Sequence, residues 1–183
     1  VRMLKRDFPD KLFYPYCLNM AGRADVKPFM AAVVDGDGPI VWEWYEREEP
    51  DLAAARRKLN GSLKAGMDGW RSFFPDATPH MMICLGYYST PPLSLNENPA
   101  VDYKVWKELQ IRMLATDPSF EGLYGLMEWN SKYADEETVR WVARLYRHYA
   151  IEGRTNLLSD ELGYRYNPGH LQNPDFDEGT SGW

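Results

Sequence analysis

Four apolar runs of strand length recur along the chain, at residues 12–18, 40–46, 81–88 and 123–129. Each run is followed by a segment whose apolar residues repeat at helical spacing, which is typical of a strand followed by an amphipathic helix. The last unit is the clearest, because Asp135 and Gly153 stand where a helix N-cap and a helix-ending glycine are expected. We therefore predict four β-α units whose strands lie parallel and adjacent in chain order.

The four units predict an α/β fold and leave two architectures to compare. Four units are half of a (β/α)8 (TIM) barrel. An open doubly wound sheet is the alternative, but such sheets typically carry a glycine-rich phosphate loop after the first strand, and residues 20–23 do not form one. The pattern favours half of a TIM barrel over residues 1–153, followed at 154–170 by a linker that either packs on the barrel or leaves it. The polar texture of this linker leads us to expect that the chain leaves the barrel after Gly153.

Charge and composition exclude two classes of partner. The formal net charge of −6 argues against a nucleic acid, since phosphate binding requires a basic surface. No apolar run approaches the ~20 residues of a transmembrane helix, so we expect no membrane span.

Cys17 and Cys84 lie in separate apolar runs, and we interpret them as small buried residues rather than a disulfide. Because the chain begins at Val1 and ends on Trp183 within a pattern, we expect a fragment of a longer protein.

Two glutamates are the candidate catalytic residues. Barrel active sites lie at the carboxyl ends of the strands, where Glu128 and Glu43 are found. If Met127 and Trp129 face the helices, alternation turns Glu128 toward the barrel axis, and the same argument turns Glu43 inward. We therefore expect the two carboxylates to share one cleft, as acid/base hydrolysis of a glycosidic bond requires. The alternative for each is a rim charge or an ion-pair partner.

Aromatic and amide side chains near the same strand ends are candidates for binding a sugar ring. Of the neighbouring tyrosines at 87 and 88, one must face inward and the other the core. The three histidines are scattered, so we expect neither a metal nor a cofactor. The predicted binding residues are Tyr45, Tyr87, Tyr88, Trp129, Asn130, Tyr133 and Asn19.

Two parts of the sequence resemble known families. Cys84-Leu-Gly-Tyr87 with Pro91-Pro92, and the segment from Tyr133 to Trp141, resemble the C-terminal part of bacterial glycoside-hydrolase-like barrels. Asn173-Pro-Asp-Phe176, the following acidic pair and Gly182-Trp183 resemble the opening strand of jelly-roll carbohydrate-binding modules, which places the truncated start of a β-sandwich at 171–183. The resemblance implies a carbohydrate substrate, a secreted, periplasmic or cell-surface location, and a missing N-terminal half-barrel and C-terminal sandwich.

Three functions stay open at this point. The first is glycoside hydrolysis by carboxylate acid/base catalysis. The second is a non-catalytic barrel that binds glycans or scaffolds a larger surface protein. If the four strands are strands five to eight of a whole barrel, the third is the seventh, after which the largest clan of barrel glycosidases has its nucleophile. This strand ends in Tyr87-Tyr88-Ser89 and has no carboxylate, which favours the non-catalytic alternative. The third is a barrel enzyme with another substrate, since a fold does not dictate its chemistry.

Overall fold

The computed structural model describes residues 2–18, 23–35, 38–90 and 92–168. About half of the chain is helical, and four short strands alternate with the main helices. The strands are β1 Tyr16–Cys17, β2 Ile40–Trp44, β3 Met81–Gly86 and β4 Gly125–Trp129. The helices are α1 Arg2–Asp7, α2 Lys27–Val34, α3 Leu52–Lys58, α4 Ala65–Phe73, α5 Tyr103–Thr116, α6 Glu136–Tyr146 and α7 Leu158–Glu161.

The strands form one parallel sheet in the order β1-β2-β3-β4, so the predicted parallel and sequential arrangement is confirmed. The first strand is much shorter than the predicted 12–18. Only Tyr16 and Cys17 pair with β2, although the carbonyl of Pro15 also accepts a hydrogen bond from the Val41 amide at 2.8 Å. A proline has no amide proton to give to a strand ladder, which explains why β1 does not extend through it.

The two faces of the sheet differ in what covers them. One face, which we call the helix face, packs against the helices and forms the main core. Its strand residues are Cys17, Ile40, Trp42, Trp44, Met81, Ile83 and Leu85, and they join helix residues such as Leu63, Met67, Trp106 and Leu145 in one cluster. The opposite face, which we call the aromatic face, carries Tyr16, Glu43, Tyr45, Cys84 and Trp129.

The helix predicted after Pro50 is interrupted by a π-helical segment, Leu59–Lys64, between α3 and α4. Such wide turns occur mostly as short insertions within α-helices. This one contains Gly61, at which an added Cβ would meet no other atom within 4 Å. It also presents Ser62, whose Oγ accepts a hydrogen bond from Trp44 Nε1 at 3.0 Å. The wide turn is therefore fastened to the sheet at the end of β2.

Residues 154–168 pack back onto the helices, so of the two alternatives for this linker the structure has the docked one. The buried carboxylate of Glu108 accepts hydrogen bonds from the amides of Leu158 and Ser159, at 2.5 and 2.8 Å. Farther along, the Tyr166 hydroxyl donates to the Glu49 carbonyl at 2.7 Å. The expectation that the chain leaves the domain directly after Gly153 is wrong for these residues, because α5 and residues 49–50 supply partners that the polar texture of the segment did not indicate.

The predicted sandwich strand at 171–183 lies outside the described residues. Within the residues that the structure does describe, none of the helices combines the length and apolar character needed to cross a membrane.

Candidate functional site

The first candidate carboxylate, Glu128, lies on the helix face. In the parallel ladder Glu128 is aligned with Leu85, and Leu85 with Trp44, both of which belong to the helix-packed core. Glu43 is aligned with Cys84 on the other face. The predicted shared cleft for Glu43 and Glu128 is therefore wrong. Both sets of alternating residues in β4 include apolar side chains, so the sequence pattern did not reveal which set faces the helices.

Glu128 is held in a buried polar network between α5, α6 and the end of β3. Its Oε2 lies 3.0 Å from Lys107 Nζ, and Oε1 accepts a hydrogen bond from the Tyr146 hydroxyl at 3.1 Å. Lys107 also donates to the Gly86 carbonyl at 2.6 Å. The side chains of Lys107 and Glu128 are 0% and 6% exposed. Burial lowers the pKa of Lys107, with Glu128 opposing the shift, and burial raises that of Tyr146. This carboxylate is an ion-pair partner that fixes the sheet to its helices.

The aromatic face brings together side chains from all four strands. The rings of Tyr16 on β1 and Trp129 on β4 lie 6.2 Å apart, centroid to centroid. The strand register aligns Tyr16 through Val41 and Met82 with Gly125, four residues before Trp129. In a flat sheet the two backbones would therefore lie roughly 19 Å apart, from three strand spacings of ~4.8 Å across the sheet and four residues of ~3.3 Å along it. The sheet therefore curves toward this face and gives it a concave surface. Tyr16 and Trp129 are 46% and 48% exposed, so their rings are available to a ligand.

At the middle of the aromatic face two tyrosine hydroxyls converge on a buried thiol. The Tyr45 and Tyr16 hydroxyl oxygens lie 3.3 and 3.6 Å from Cys84 Sγ. Burial raises the pKa of the Cys84 thiol to about 11, the Tyr16 hydroxyl opposes this shift, and nearby carboxylates including Glu43 add to it. A thiol with so high a pKa stays protonated at neutral pH and is a poor nucleophile. Cys84 therefore supports the tyrosines rather than providing chemistry.

Glu43 is the carboxylate of this face. It is aligned with Cys84, and its charge and hydrogen bonding help to raise the pKa of Tyr16, behind the larger effects of burial and the Cys84 thiol. Glu43 also helps to raise the pKa of Tyr88 to about 12, behind the effects of burial and Cys84. The two phenols therefore stay protonated and can donate hydrogen bonds. Among the described residues, Glu43 has no ion-pair partner.

Tyrosines beyond the end of β3 extend the aromatic surface. The Tyr88 ring makes edge contacts with Tyr45 at 5.4 Å and with Tyr133 at 6.0 Å. Tyr87 instead packs against the helix-face core. Of this predicted pair, Tyr88 thus lies with the aromatic face and Tyr87 with the core.

Three predicted binding residues remain: Trp129, Asn130 and Asn19. Trp129 lies on the aromatic face. Asn130 lies just beyond it, but its side-chain oxygen accepts a hydrogen bond from the Lys132 amide at 2.8 Å and so caps the short turn that follows. Asn19 is outside the described residues.

A groove of about 340 Å³ follows the part of β2 that the two-residue β1 does not cover. Its walls include Leu18, Glu43, Tyr45, Glu46 and Ser62. The groove continues the aromatic face past the sheet edge, because Glu43 and Tyr45 belong to both. Within the described ranges, no group of three His, Cys, Asp or Glu side chains is arranged to hold a metal ion.

Three important side chains were missed from the sequence. Tyr16 was assigned only to the first strand, although the alternation of residues 14, 16 and 18 would have placed it opposite Cys17. Lys107 and Tyr146 were assigned no role. Lys107 lies four residues after Tyr103 and four before Ile111, on one stripe of α5, and a lysine on such an apolar stripe is a signal of a buried partner, because an unpaired ammonium group is rarely buried.

Comparison with known proteins gives no assignment by similarity. No protein-family model, no curated protein and no solved structure matches the chain significantly. The function has to be argued from the geometry of the aromatic face.

Proposed function

We propose that the aromatic face and the adjoining β2 groove form a carbohydrate-binding surface of a barrel-type domain. The observation that carries the proposal is the pair of half-exposed rings, Tyr16 and Trp129, on the concave side of a parallel sheet. Aromatic rings offer flat apolar surfaces on which the faces of sugar rings stack, while nearby hydroxyl and carboxylate groups bond to the sugar hydroxyls.

The polar groups of the surface suit a polyhydroxylated ligand. Tyr16 and Tyr45 provide phenolic hydroxyls, and Glu43 provides two acceptor oxygens. These groups lie on strands of one sheet, so their spacing is fixed by backbone pairing before any ligand arrives. Such preorganisation reduces the entropy cost of binding.

The barrel part of the proposal is supported by the strand order. The order rises from β1 to β4 without a reversal, whereas a doubly wound sheet reverses its order at the point where the ligand binds. A sheet that keeps one order, carries its helix-packed core on one face and curves toward the other is what half of a (β/α)8 barrel requires. The aromatic face would then line the barrel interior.

Binding is favoured over the hydrolysis predicted from Glu43 and Glu128. Hydrolysis usually needs two carboxyl groups on opposite sides of one glycosidic bond. Glu128 is turned to the helix face and bound by Lys107 and Tyr146, so it does not share a cavity with Glu43. Glu43 alone provides one of the two required groups.

The test is a glycan-binding screen with Trp129→Ala and Tyr16→Ala, followed by calorimetry on the best ligand. We expect each variant to lose about tenfold in affinity, because a nucleobase stacked on one aromatic side chain contributes ~1–3 kcal/mol and we expect a stacked sugar ring to contribute an amount within that range. Phe29→Ala removes an equally exposed ring from α2 and should bind like the wild type. Unchanged affinity in both aromatic-face variants would overturn the proposal. Release of reducing ends that Glu43→Gln abolishes would replace it with hydrolysis.

A further inference from the structure

Glu43 has no counter-charge among the described residues. Glu48 and Glu108 lack one as well, but each of those carboxylates accepts two hydrogen bonds from backbone amides. Glu128 is paired with Lys107, Glu46 with Lys58 and Asp117 with Lys64, each at 3.0 Å or less. Within the described ranges Glu43 forms no salt bridge, although it is partly buried beside Cys84. A carboxylate in such a position is stabilised when a ligand brings a positive charge.

The rings around Glu43 add a second attraction for a cation. Tyr16, Tyr45 and Trp129 present π-systems on the same face, and a cation within about 6 Å of such a ring is attracted by its quadrupole. Cations of the protein use other rings: Lys27 lies over Phe73, Lys104 over Tyr164, and Lys132 over Tyr133 at the margin of the aromatic surface. In the described part of the chain, no lysine or arginine lies over the three rings of the aromatic face.

Together these observations define the charge of the ligand, and the inference rests on the proposed function. We propose that the carbohydrate bound on the aromatic face carries a free primary amine, as in an oligosaccharide of 2-amino-2-deoxy-hexose units. Its ammonium group bonds to the Glu43 carboxylate, and its sugar rings stack on Trp129 and Tyr16. The same arrangement disfavours uronate, sulfated or sialylated glycans, because their negative charges would face Glu43 in a protein of net charge −6.

The amine also matches the hydroxyls of the site. An ammonium group has three donor hydrogens and no acceptor. It can donate to Glu43, while the Tyr16 and Tyr45 hydroxyls exchange their contacts with Cys84 and Glu43 for bonds with the sugar oxygens. An N-acetylated sugar lacks the charge and adds an apolar methyl group, so it would lose the ion pair with Glu43 while keeping the stacking contacts.

Calorimetry with three ligand series of equal length tests the inference: glucosamine oligomers, N-acetylglucosamine oligomers and neutral glucose oligomers. At a pH where the amine is protonated, the wild type should bind the amine series about tenfold tighter than the glucose series. Glu43→Gln should remove that preference, and it should lower the affinity for glucose oligomers by a smaller factor, because the amide oxygen replaces a carboxylate acceptor. Glu121→Gln removes an exposed carboxylate in the turn before β4 and should leave every affinity unchanged.

The outcomes separate the two proposals. Equal binding of amine and neutral series, or an amine preference that survives Glu43→Gln, would overturn the amine inference and leave the carbohydrate-binding proposal standing. Binding that is unaffected by Trp129→Ala in all three series would overturn the carbohydrate surface itself. A loss of affinity in Glu43→Gln that is equal for all three series would show that Glu43 shapes the surface rather than recognises charge, and would also overturn the amine inference.

Discussion

The ammonium group of Lys107 and the carboxylate of Glu128 form an ion pair that is buried on the helix face, with Nζ 3.0 Å from Oε2. The pair joins the middle of α5 to the end of β4, and the further bond from Lys107 to the Gly86 carbonyl includes the end of β3. The Tyr146 hydroxyl attaches α6 to the same carboxylate. One network therefore fixes two strands and two helices at the carboxyl end of the sheet.

Removing one member of this pair should be strongly destabilising. Glu128→Gln leaves the Lys107 charge buried without its partner, and we expect a loss of about 3–5 kcal/mol in the free energy of unfolding. Urea unfolding followed by circular dichroism measures this loss. Glu136→Gln breaks the exposed pair with Arg140 and should leave the urea midpoint unchanged. If the two variants unfold at the same urea concentration, the pair is not buried in solution.

Replacing both members by apolar residues separates the cost of leaving one buried charge unpaired from the cost of removing the ion pair as a whole. In Lys107→Met with Glu128→Leu, neither charge is left unpaired, so the double variant should be more stable than Glu128→Gln alone. The Tyr146 hydroxyl loses its acceptor in this variant, so full wild-type stability is not expected. A double variant less stable than Glu128→Gln would contradict this account.

Two strand glycines should respond very differently to alanine. A Cβ at Gly86 would lie 2.9 Å from Leu95 Cδ1 and 3.0 Å from Tyr45 Cδ1. A Cβ at Gly125 would meet only Met82 Cε, at 3.7 Å. We expect Gly86→Ala to cost about 1–3 kcal/mol and to weaken ligand binding, because it displaces the Tyr45 ring.

Gly125→Ala is the matched control on the neighbouring strand. It should be neutral or stabilising by up to about 1 kcal/mol, since alanine loses less backbone entropy than glycine on folding. Thermal unfolding of both variants provides the comparison. Equal melting temperatures for Gly86→Ala and the wild type would show that the Tyr45 ring is not packed against β3 as described.

Glu108 should control whether residues 157–164 stay docked. Its carboxylate accepts hydrogen bonds from the Leu158 and Ser159 amides and from the Tyr149 hydroxyl, the last at 2.7 Å. Glu108→Ala leaves all three donors without this acceptor, so we expect a loss of about 2–4 kcal/mol. Amide hydrogen exchange at 158 and 159 should accelerate more than exchange in β3. Tyr149→Phe, which removes only one of the three donors, should cost about 1 kcal/mol.

The N-cap of α6 predicts a pH dependence with a definite sign. Partial burial acts to raise the pKa of Asp135, but hydrogen bonds from the Thr138 amide and the Ser89 hydroxyl outweigh it and leave that pKa below its ordinary value. A folded-state pKa below the unfolded one gives stability that is complete above the unfolded pKa and is lost as the pH falls through the folded one.

Asp135→Ala should therefore cost about 1 kcal/mol at pH 7, and its difference from the wild type should shrink as the pH falls below about 4. Urea midpoints measured between pH 7 and pH 2.5 provide the test. Asp135→Asn keeps a capping oxygen and should fall between the other two proteins at pH 7. A difference that grows on acidification would contradict the assigned sign.

The strand-helix alternation was readable from the sequence because apolar runs and helical stripes differ in period. The pattern located β2, β3 and the start of α6 at Asp135. The sequence did not show which residues of β4 face the helices. Met127 and Trp129 are as apolar as Leu126, and the residue that decides the phase is Lys107, twenty-one positions earlier in the chain.

The aromatic face was only partly predictable for a related reason. Tyr45, Tyr88 and Trp129 were predicted as binding residues from their positions at strand ends, although the assumed alternation along β4 turned Trp129 toward the helices, and the structure places it on the aromatic face. Tyr16 was not, because its contact with Trp129 depends on the curvature of the whole sheet rather than on any local pattern. The docking of residues 154–168 could not be predicted either, since it depends on a few hydrogen bonds between distant parts of the chain. Glu108 accepts hydrogen bonds from the Leu158 and Ser159 amides, and the Tyr166 hydroxyl donates to the Glu49 carbonyl.

The bond between Tyr166 and Glu49 joins residues 117 positions apart, and this separation has a consequence for the order of folding. Neighbouring β-α units meet as each emerges from the ribosome, because β1 to β4 pair in chain order. The Tyr166 ring can reach residue 49 only after translation has passed the fourth unit. During synthesis the surface that Tyr166 covers, between residue 49 and the start of α5, is therefore exposed longest. We expect chaperones that recognise apolar surface to bind the nascent chain there.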